Sequence, residues 1–232
     1  MFAKEYRRRD VISLYYGGET IASNKVNQVI EDALQTERER KFVETVEVAI
    51  NLRDVDLQNP QKRINAEVAL PHGRGRPARV AVFAQGEMAV ISKKIVDTVL
   101  GPDQIDELSE NKREARKLAD KFDFFVAETG LMATIGKSLG VVLGPRGKMP
   151  RPIPPQADIE RIINSLTNLV PVRSKDRPTF HVPFGNIAMT KEQLADNLET
   201  ILKRVESNLD RGTENIASIW VKTTMGKAVR LG

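Results

Sequence analysis

The sequence predicts an α/β protein of two domains, one of them interrupted by the other. Three observations carry this: a length of 232 residues, beyond the usual single domain; alternating strands and amphipathic helices at both ends of the chain; and a middle stretch of different texture bracketed by proline and glycine. A domain whose termini lie close together is easily seated in a loop of another. The expected division is therefore a discontinuous domain, 1–71 with 156–232, hosting a second at 72–155.

Residues 23–40 place Val26, Val29, Ile30, Ala33 and Leu34 at helical spacing behind Ser23 as N-cap. Next, ETVEVAINL puts Val46, Val48, Ile50 and Leu52 on one face and Thr45, Glu47 and Asn51 on the other, the period of a strand with one face open. NPQK at 59–62 predicts a turn and NAEVAL at 65–70 a second strand. After LPHGRGRP, the apolar run at 79–84 suits a strand covered on both faces. Helices are expected at 87–96, 111–122 and from TGLMATIG to Leu139, with FFVAE at 124–128 as a strand. This alternation implies a small parallel or mixed sheet. GPRGKMPRPIPP, at 144–155, predicts an exposed stiff linker without regular structure. A helix at 157–168 follows, then a hairpin about Lys175 to Arg177, and a helix at 190–208 opened by Thr190 with Gln193 three residues on. SIWVKTTMGKAVRL closes the chain as a strand that bends at Gly226.

The composition, 41% hydrophobic and 29% charged, supports real cores. With no cysteine, disulfides, thiolate metal sites and cysteine nucleophiles are excluded. No apolar run reaches membrane-spanning length and the start lacks a secretory h-region, so a cytoplasmic protein without a membrane partner is expected. The net charge of +5 matters less than its distribution. Windows 70–86, 129–157 and 215–232 hold basic residues and no acid, the pattern of a surface that meets a polyanion. GPRGKM is no phosphate loop, since Val142 stands where glycine and Met149 where a hydroxyl is needed. His72 and His181 are isolated, and no paired carboxylates or nucleophilic serine stand out, so neither a metal, a cofactor nor catalysis is expected.

The stretches KFVETVEV (41–48), LPHG (70–73), LGPRGKMPRP (143–152), FHVPFG (180–185), LADN (194–197) and VKTTMG (221–226), in this order, resemble the ribosomal protein L-one family in its archaeal style, over residues 24–232. The first 22 or so residues lie outside the resemblance. It implies an antiparallel sheet with two helices, a split β-α-β arrangement, for the discontinuous domain, and three layers around a mainly parallel sheet for the inserted one. It further implies a monomer off the ribosome that binds large-subunit ribosomal RNA, helps deacylated exit-site tRNA to leave and represses its own mRNA. The matched RNA-contacting positions are Lys41, Phe42 and Thr45 early, and Thr223, Thr224, Met225 and Gly226 late, with His181 in the matching hairpin motif. Val43 stands where an acid is common in the family.

The chemistry is intelligible from the residues themselves. RNA presents a wide minor groove of 2′-hydroxyls and sugars, which small hydroxyls and close main chain can meet. Thr223 and Thr224 offer hydroxyls, Gly226 close approach, Met225 and Phe42 adaptable apolar surface, and Lys41, Lys222 and Lys227 an electrostatic attraction. The segments near Pro71 and Pro155 are the expected hinges. The rival reading is a small nucleotide-dependent enzyme built on the middle α/β domain.

Overall fold

The computed structural model describes residues 14–16, 19–21, 23–35, 40–154 and 158–231. Pro155 and positions 36–39 of the expected first helix lie outside them. In chain order the elements are β1 (Leu14–Tyr16), β2 (Glu19–Ile21), α1 (Ser23–Leu34), β3 (Thr45–Leu52) and β4 (Asn65–Ala69). Then come β5 (Val80–Phe83), α2 (Gly86–Ser92), β6 (Val99–Leu100), α3 (Pro102–Glu110), α4 (Lys112–Lys121) and β7 (Phe124–Glu128). α5 (Met132–Ser138), α6 (Gly140–Leu143), β8 (Arg151–Ile153) and α7 (Ile159–Thr167) follow, and the chain closes with β9 (Leu169–Arg173), β10 (Thr179–Asn186), α8 (Lys191–Ser207), β11 (Ile216–Thr223) and β12 (Val229–Arg230). Two compact units divide after Arg76 and after Asn168, so α7 goes with the middle unit, whereas proline punctuation puts the boundaries after 71 and 155.

In the first unit an antiparallel sheet runs β10-β3-β11-β12. Alternation does what period two dictates: Val46, Val48, Ile50 and Leu52 of β3, Phe180 and Val182 of β10, and Ile219 and Val221 of β11 face one way and are buried. Val26, Val29, Ile30 and Ala33 of α1 and Leu194, Leu198, Ile201, Leu202 and Val205 of α8 complete the core. α8 starts where its capping box predicts, with Gln193 N donating to Thr190 Oγ1 at 3.3 Å and Thr190 N to Gln193 Oε1 at 3.2 Å. A bulge after Pro183 seats Phe184 in the core, and Gly185 then passes under Leu194, which would overlap any Cβ there.

The expected hairpin about Lys175 is corrected. The turn exists, with Arg177 N donating to Ser174 O at 3.2 Å, yet β9 pairs with β4 and β10 with β3. Pro171 and Pro183 remove donors that a β9–β10 ladder would need. Ser174 instead ties β9 to the start of β4, its N–H donating to Ile64 O at 3.0 Å and its hydroxyl accepting from Ile64 N at 3.0 Å.

Asn197 fastens the segment that leaves this unit. Fully buried, its Oδ1 accepts from His72 N at 3.2 Å, and its Nδ2 donates to Gly73 O at 2.7 Å and Phe184 O at 2.9 Å. Asn186 Nδ2 holds Gly75 O at 2.9 Å. The residues just after Pro71 are therefore pinned to the first unit as far as Gly75.

The second unit has a parallel sheet ordered β6-β5-β7-β8. Ala81, Phe83, Phe125 and Ala127 pack on one face with residues of α3 to α6, and Val82 and Val126 on the opposite face are equally buried. The expected linker at 144–155 is also corrected. Arg151–Ile153 form β8, and Pro152 is tolerated because β8 is an edge strand whose outer side needs no donor. Before it, Lys148 Nζ donates to Ala119 O at 2.7 Å and Phe122 O at 2.8 Å, satisfying carbonyls that the end of α4 leaves open. Burial holds the Lys148 amine below the ordinary lysine pKa, with Asp123 and Asp120 opposing that shift.

Candidate nucleic-acid interface

Because β3 lies between β10 and β11 and antiparallel to both, its first residues share one end of the sheet with the last residues of the other two. Thr45 is paired with Asn186, Val46 with Thr223 and Glu47 with Lys222. Beyond that ladder two segments 179 residues apart are joined by side chains: Thr45 N donates to Thr224 Oγ1 at 3.1 Å, and Thr224 Oγ1 donates to Thr45 O at 3.3 Å. Met225 N donates to Glu44 Oε2 at 3.0 Å. Phe42 and Met225 leave 51% and 60% of their surface in solvent, and Val43 and Ile187 are exposed beside the same strand ends. A group of bare apolar side chains among hydroxyls and main chain, flanked by exposed Lys41 and Lys227, suits a sugar or base face with phosphates at its margin.

Not every expected residue faces out. Thr223 continues the inward set of Ile219 and Val221; it is fully buried and its hydroxyl has no hydrogen-bond partner. Only Thr224 of the pair presents its side chain at the surface. Gly226 lies against Thr223, and a Cβ on it would overlap Thr223 Oγ1. Gly226→Ala should therefore destabilise the first unit by about 1–3 kcal/mol through overpacking. Thr223→Ala in the same chain, which removes the obstructing atom, should recover part of that loss in a thermal melt.

On the open face of the sheet Glu47 stands between His181, whose Nδ1 is 3.9 Å from Glu47 Oε1, and Lys222, whose Nζ is 3.6 Å from it. His181 and Lys222 are thus held across three strands, on the side where Thr45 and Thr224 emerge. Farther along, Asn51 Nδ2 donates to Ser218 Oγ at 2.6 Å and Thr179 Oγ1 to Asn51 Oδ1 at 2.7 Å. Ala49, paired with both His181 and Trp220, keeps the middle of this face shallow.

A family model described as "Ribosomal protein L1p/L10e family" matches residues 33–227, both strands of the interface included. The chain belongs to this family. It is similar to the "Large ribosomal subunit protein uL1" of Methanothrix thermoacetophila, 48% identical over 89% of this chain and 98% of the relative. The protein of the same name from Archaeoglobus fulgidus is 48% identical over 91% and 99%, and that of Haloferax volcanii 44% over 90% and 99%.

Within this L1p/L10e-family chain the middle unit offers little to a nucleotide. In an open parallel sheet ligands sit outside the strand C-termini where the connections change direction, here between β5 and β7. At that point Glu128 Oε2 already accepts from Gln85 N at 3.2 Å, and Thr129 Oγ1 donates to Ile153 O at 3.0 Å. A carboxylate occupies the amide that a phosphate would need. The GPRGKM lysine, Lys148, is spent on the end of α4, and Arg146 Nε donates to Asp120 Oδ1 at 3.3 Å. Among the described residues no group of three His, Cys, Asp or Glu could hold a metal, and no helix is long and apolar enough to cross a membrane.

Sequence reasoning did not place Glu44 or Ile187 at this sheet end, and it noted Val43 only as a departure from the family pattern. For Glu44 the signal was present: it is in phase with Val46, Val48 and Ile50, so the alternation that defines β3, run back one step, sends a carboxylate inward.

Proposed function

We propose that this chain is a non-enzymatic protein of the large ribosomal subunit, cytoplasmic and ribosome-associated, that binds large-subunit ribosomal RNA through the sheet end formed by Lys41, Phe42, Thr45, Thr224, Met225 and Gly226, with His181 and Lys222 on the adjoining face. The observation that carries it is the joining of Thr45 to Thr224 across β3 and β11, which makes one surface of the two stretches. The Thr224 hydroxyl spends its own proton on Thr45 O, so it meets RNA as an acceptor. A ribose 2′-hydroxyl can donate to it; a deoxyribose cannot. Thr223 acts from beneath, as packing against Gly226.

The same reading extends to help in releasing deacylated exit-site tRNA, to repression of the chain's own mRNA, and to a middle unit that pivots on its connections near Pro71 and Pro155. The hydrogen bonds that pin residues as far as Gly75 favour a pivot on the first side that starts after Gly75 rather than at Pro71 itself. The occupied strand ends of the middle unit speak against the nucleotide-enzyme reading.

The test is a gel shift comparing stalk-region large-subunit ribosomal RNA with a scrambled hairpin of equal length as salt is raised. Affinity for both should fall, because lysine–phosphate attraction is screened, while a preference for the stalk RNA persists through hydroxyl and packing contacts. Equal binding at moderate salt would reduce the protein to a generic basic binder.

A further inference from the structure

We propose that the Glu44 carboxylate is the positioning group of the RNA platform, holding the Met225 amide and with it the exposed Met225 side chain in the geometry that RNA meets; this rests on the RNA-binding reading above. An acid at a surface meant for a polyanion is the observation that calls for explanation. Glu44 is 1% exposed, so its charge is turned away from any ligand. Burying a carboxylate is costly unless hydrogen bonds and a counter-charge compensate. Both are present: Oε2 accepts from Met225 N at 3.0 Å, and Oε1 lies 3.6 Å from Arg40 Nε.

What the carboxylate adds is a link past the end of strand pairing. The β3–β11 ladder ends at Thr223 opposite Val46. Past that point the chain turns, Gly226 N donating to Thr223 O at 3.3 Å, and the links to the β3 side are made by side chains, Thr224 Oγ1 on Thr45 and Glu44 Oε2 on the Met225 amide. The main-chain carbonyl of Glu44 faces β10, so its side chain alone reaches the Met225 amide. That carbonyl accepts from Ile187 N at 3.1 Å just past β10. One residue thus links the ends of three strands, through main chain toward β10 and side chain toward β11. A platform fixed before binding loses less conformational freedom when RNA arrives, so a clamp outside the contact surface raises affinity without touching the ligand.

The role is that of an acceptor, which separates it from a general structural requirement. In Glu44→Gln the carboxamide oxygen still accepts the Met225 N–H, while the attraction to Arg40 is lost and the amide NH2 stands beside that partly exposed guanidinium. Glu44→Ala removes the acceptor. Measured on the full chain against stalk-region ribosomal RNA, Glu44→Ala should bind about tenfold or more weaker and Glu44→Gln within about threefold of the parent, the difference reflecting lost preorganisation. Melting temperature and circular dichroism are read alongside. Equal loss in both variants, or parent-like binding by Glu44→Ala, overturns the clamp. If Glu44→Ala does not fold, deuterium exchange at the Met225 amide decides: it should be at least about a hundredfold slower than in an open turn, in the parent and in Glu44→Gln alike. Exchange at the open-turn rate overturns the proposal. Failure of the RNA-binding reading looks different, because the parent itself would then show no preference for the stalk RNA.

Discussion

Asn197→Ala should lower the stability of the first unit by about 2–4 kcal/mol, the loss expected when buried main-chain groups lose their partner and no water replaces it. Asn197 is fully buried in α8 and makes three hydrogen bonds, to His72 N, Gly73 O and Phe184 O. No hydrophobic replacement satisfies those groups. Asn197→Asp keeps an acceptor for His72 N but sets an oxygen against two carbonyl oxygens, so it should be at least as damaging. Trp220 is the sole tryptophan and lies in β11, so its fluorescence in a denaturant titration follows the first unit alone. A shift below about 1 kcal/mol for Asn197→Ala would mean that the segment after Pro71 is held by other means.

The second large effect falls on binding. Thr224→Val together with Met225→Ala should weaken association with stalk-region ribosomal RNA by about 2–4 kcal/mol, combining a lost polar contact with a lost apolar one. Valine keeps the shape of threonine but removes both links to Thr45, at 3.1 and 3.3 Å, and with them the acceptor proposed for a 2′-hydroxyl. Alanine removes a side chain that is 60% exposed and so adds little to the core. The melting temperature should accordingly change little while affinity drops. Thr224→Ser, which retains the hydroxyl, should bind close to the parent. Undiminished binding by the double variant would remove this sheet end from the interface.

Much of the fold was legible because its signals are local. Alternation marked β3 to within one residue, the Thr190–Gln193 pair marked the start of α8, and the four apolar residues of β5 marked a strand covered on both faces. The errors arose where a residue's partner is distant. Proline and glycine in GPRGKMPRP suggested an exposed linker, yet edge position makes Pro152 harmless, and the α4 carbonyls that fix Lys148 lie more than 25 residues away in sequence. The two strands flanking Lys175 looked like one hairpin, but each finds its neighbour elsewhere. α3 and the short β6 went unread, although Pro102 at the first helical turn was a usable start signal.

The candidate site shows the same division. Which stretches to take together came from the resemblance of KFVETVEV and VKTTMG to the family; which atoms face out was not drawn from it, though the period of β11 places Thr223 with Val221 and leaves Thr224 to the surface. Glu44 carried an inward phase that no attention to basic windows would reveal. Joining strands 179 residues apart is a tertiary fact, and only coordinates supply it.

β4 and β9 bracket the middle unit and pair antiparallel with each other, Ala69 opposite Leu169. To the host, everything between them takes the place of a tight turn. Closing a flexible excursion costs about 0.6 kcal/mol more for each doubling of its length, so a modest change in the guest's size alters that cost only slightly. The guest can therefore grow, shrink or be exchanged over generations while the end of the host sheet where Thr224 meets Thr45 stays as it is.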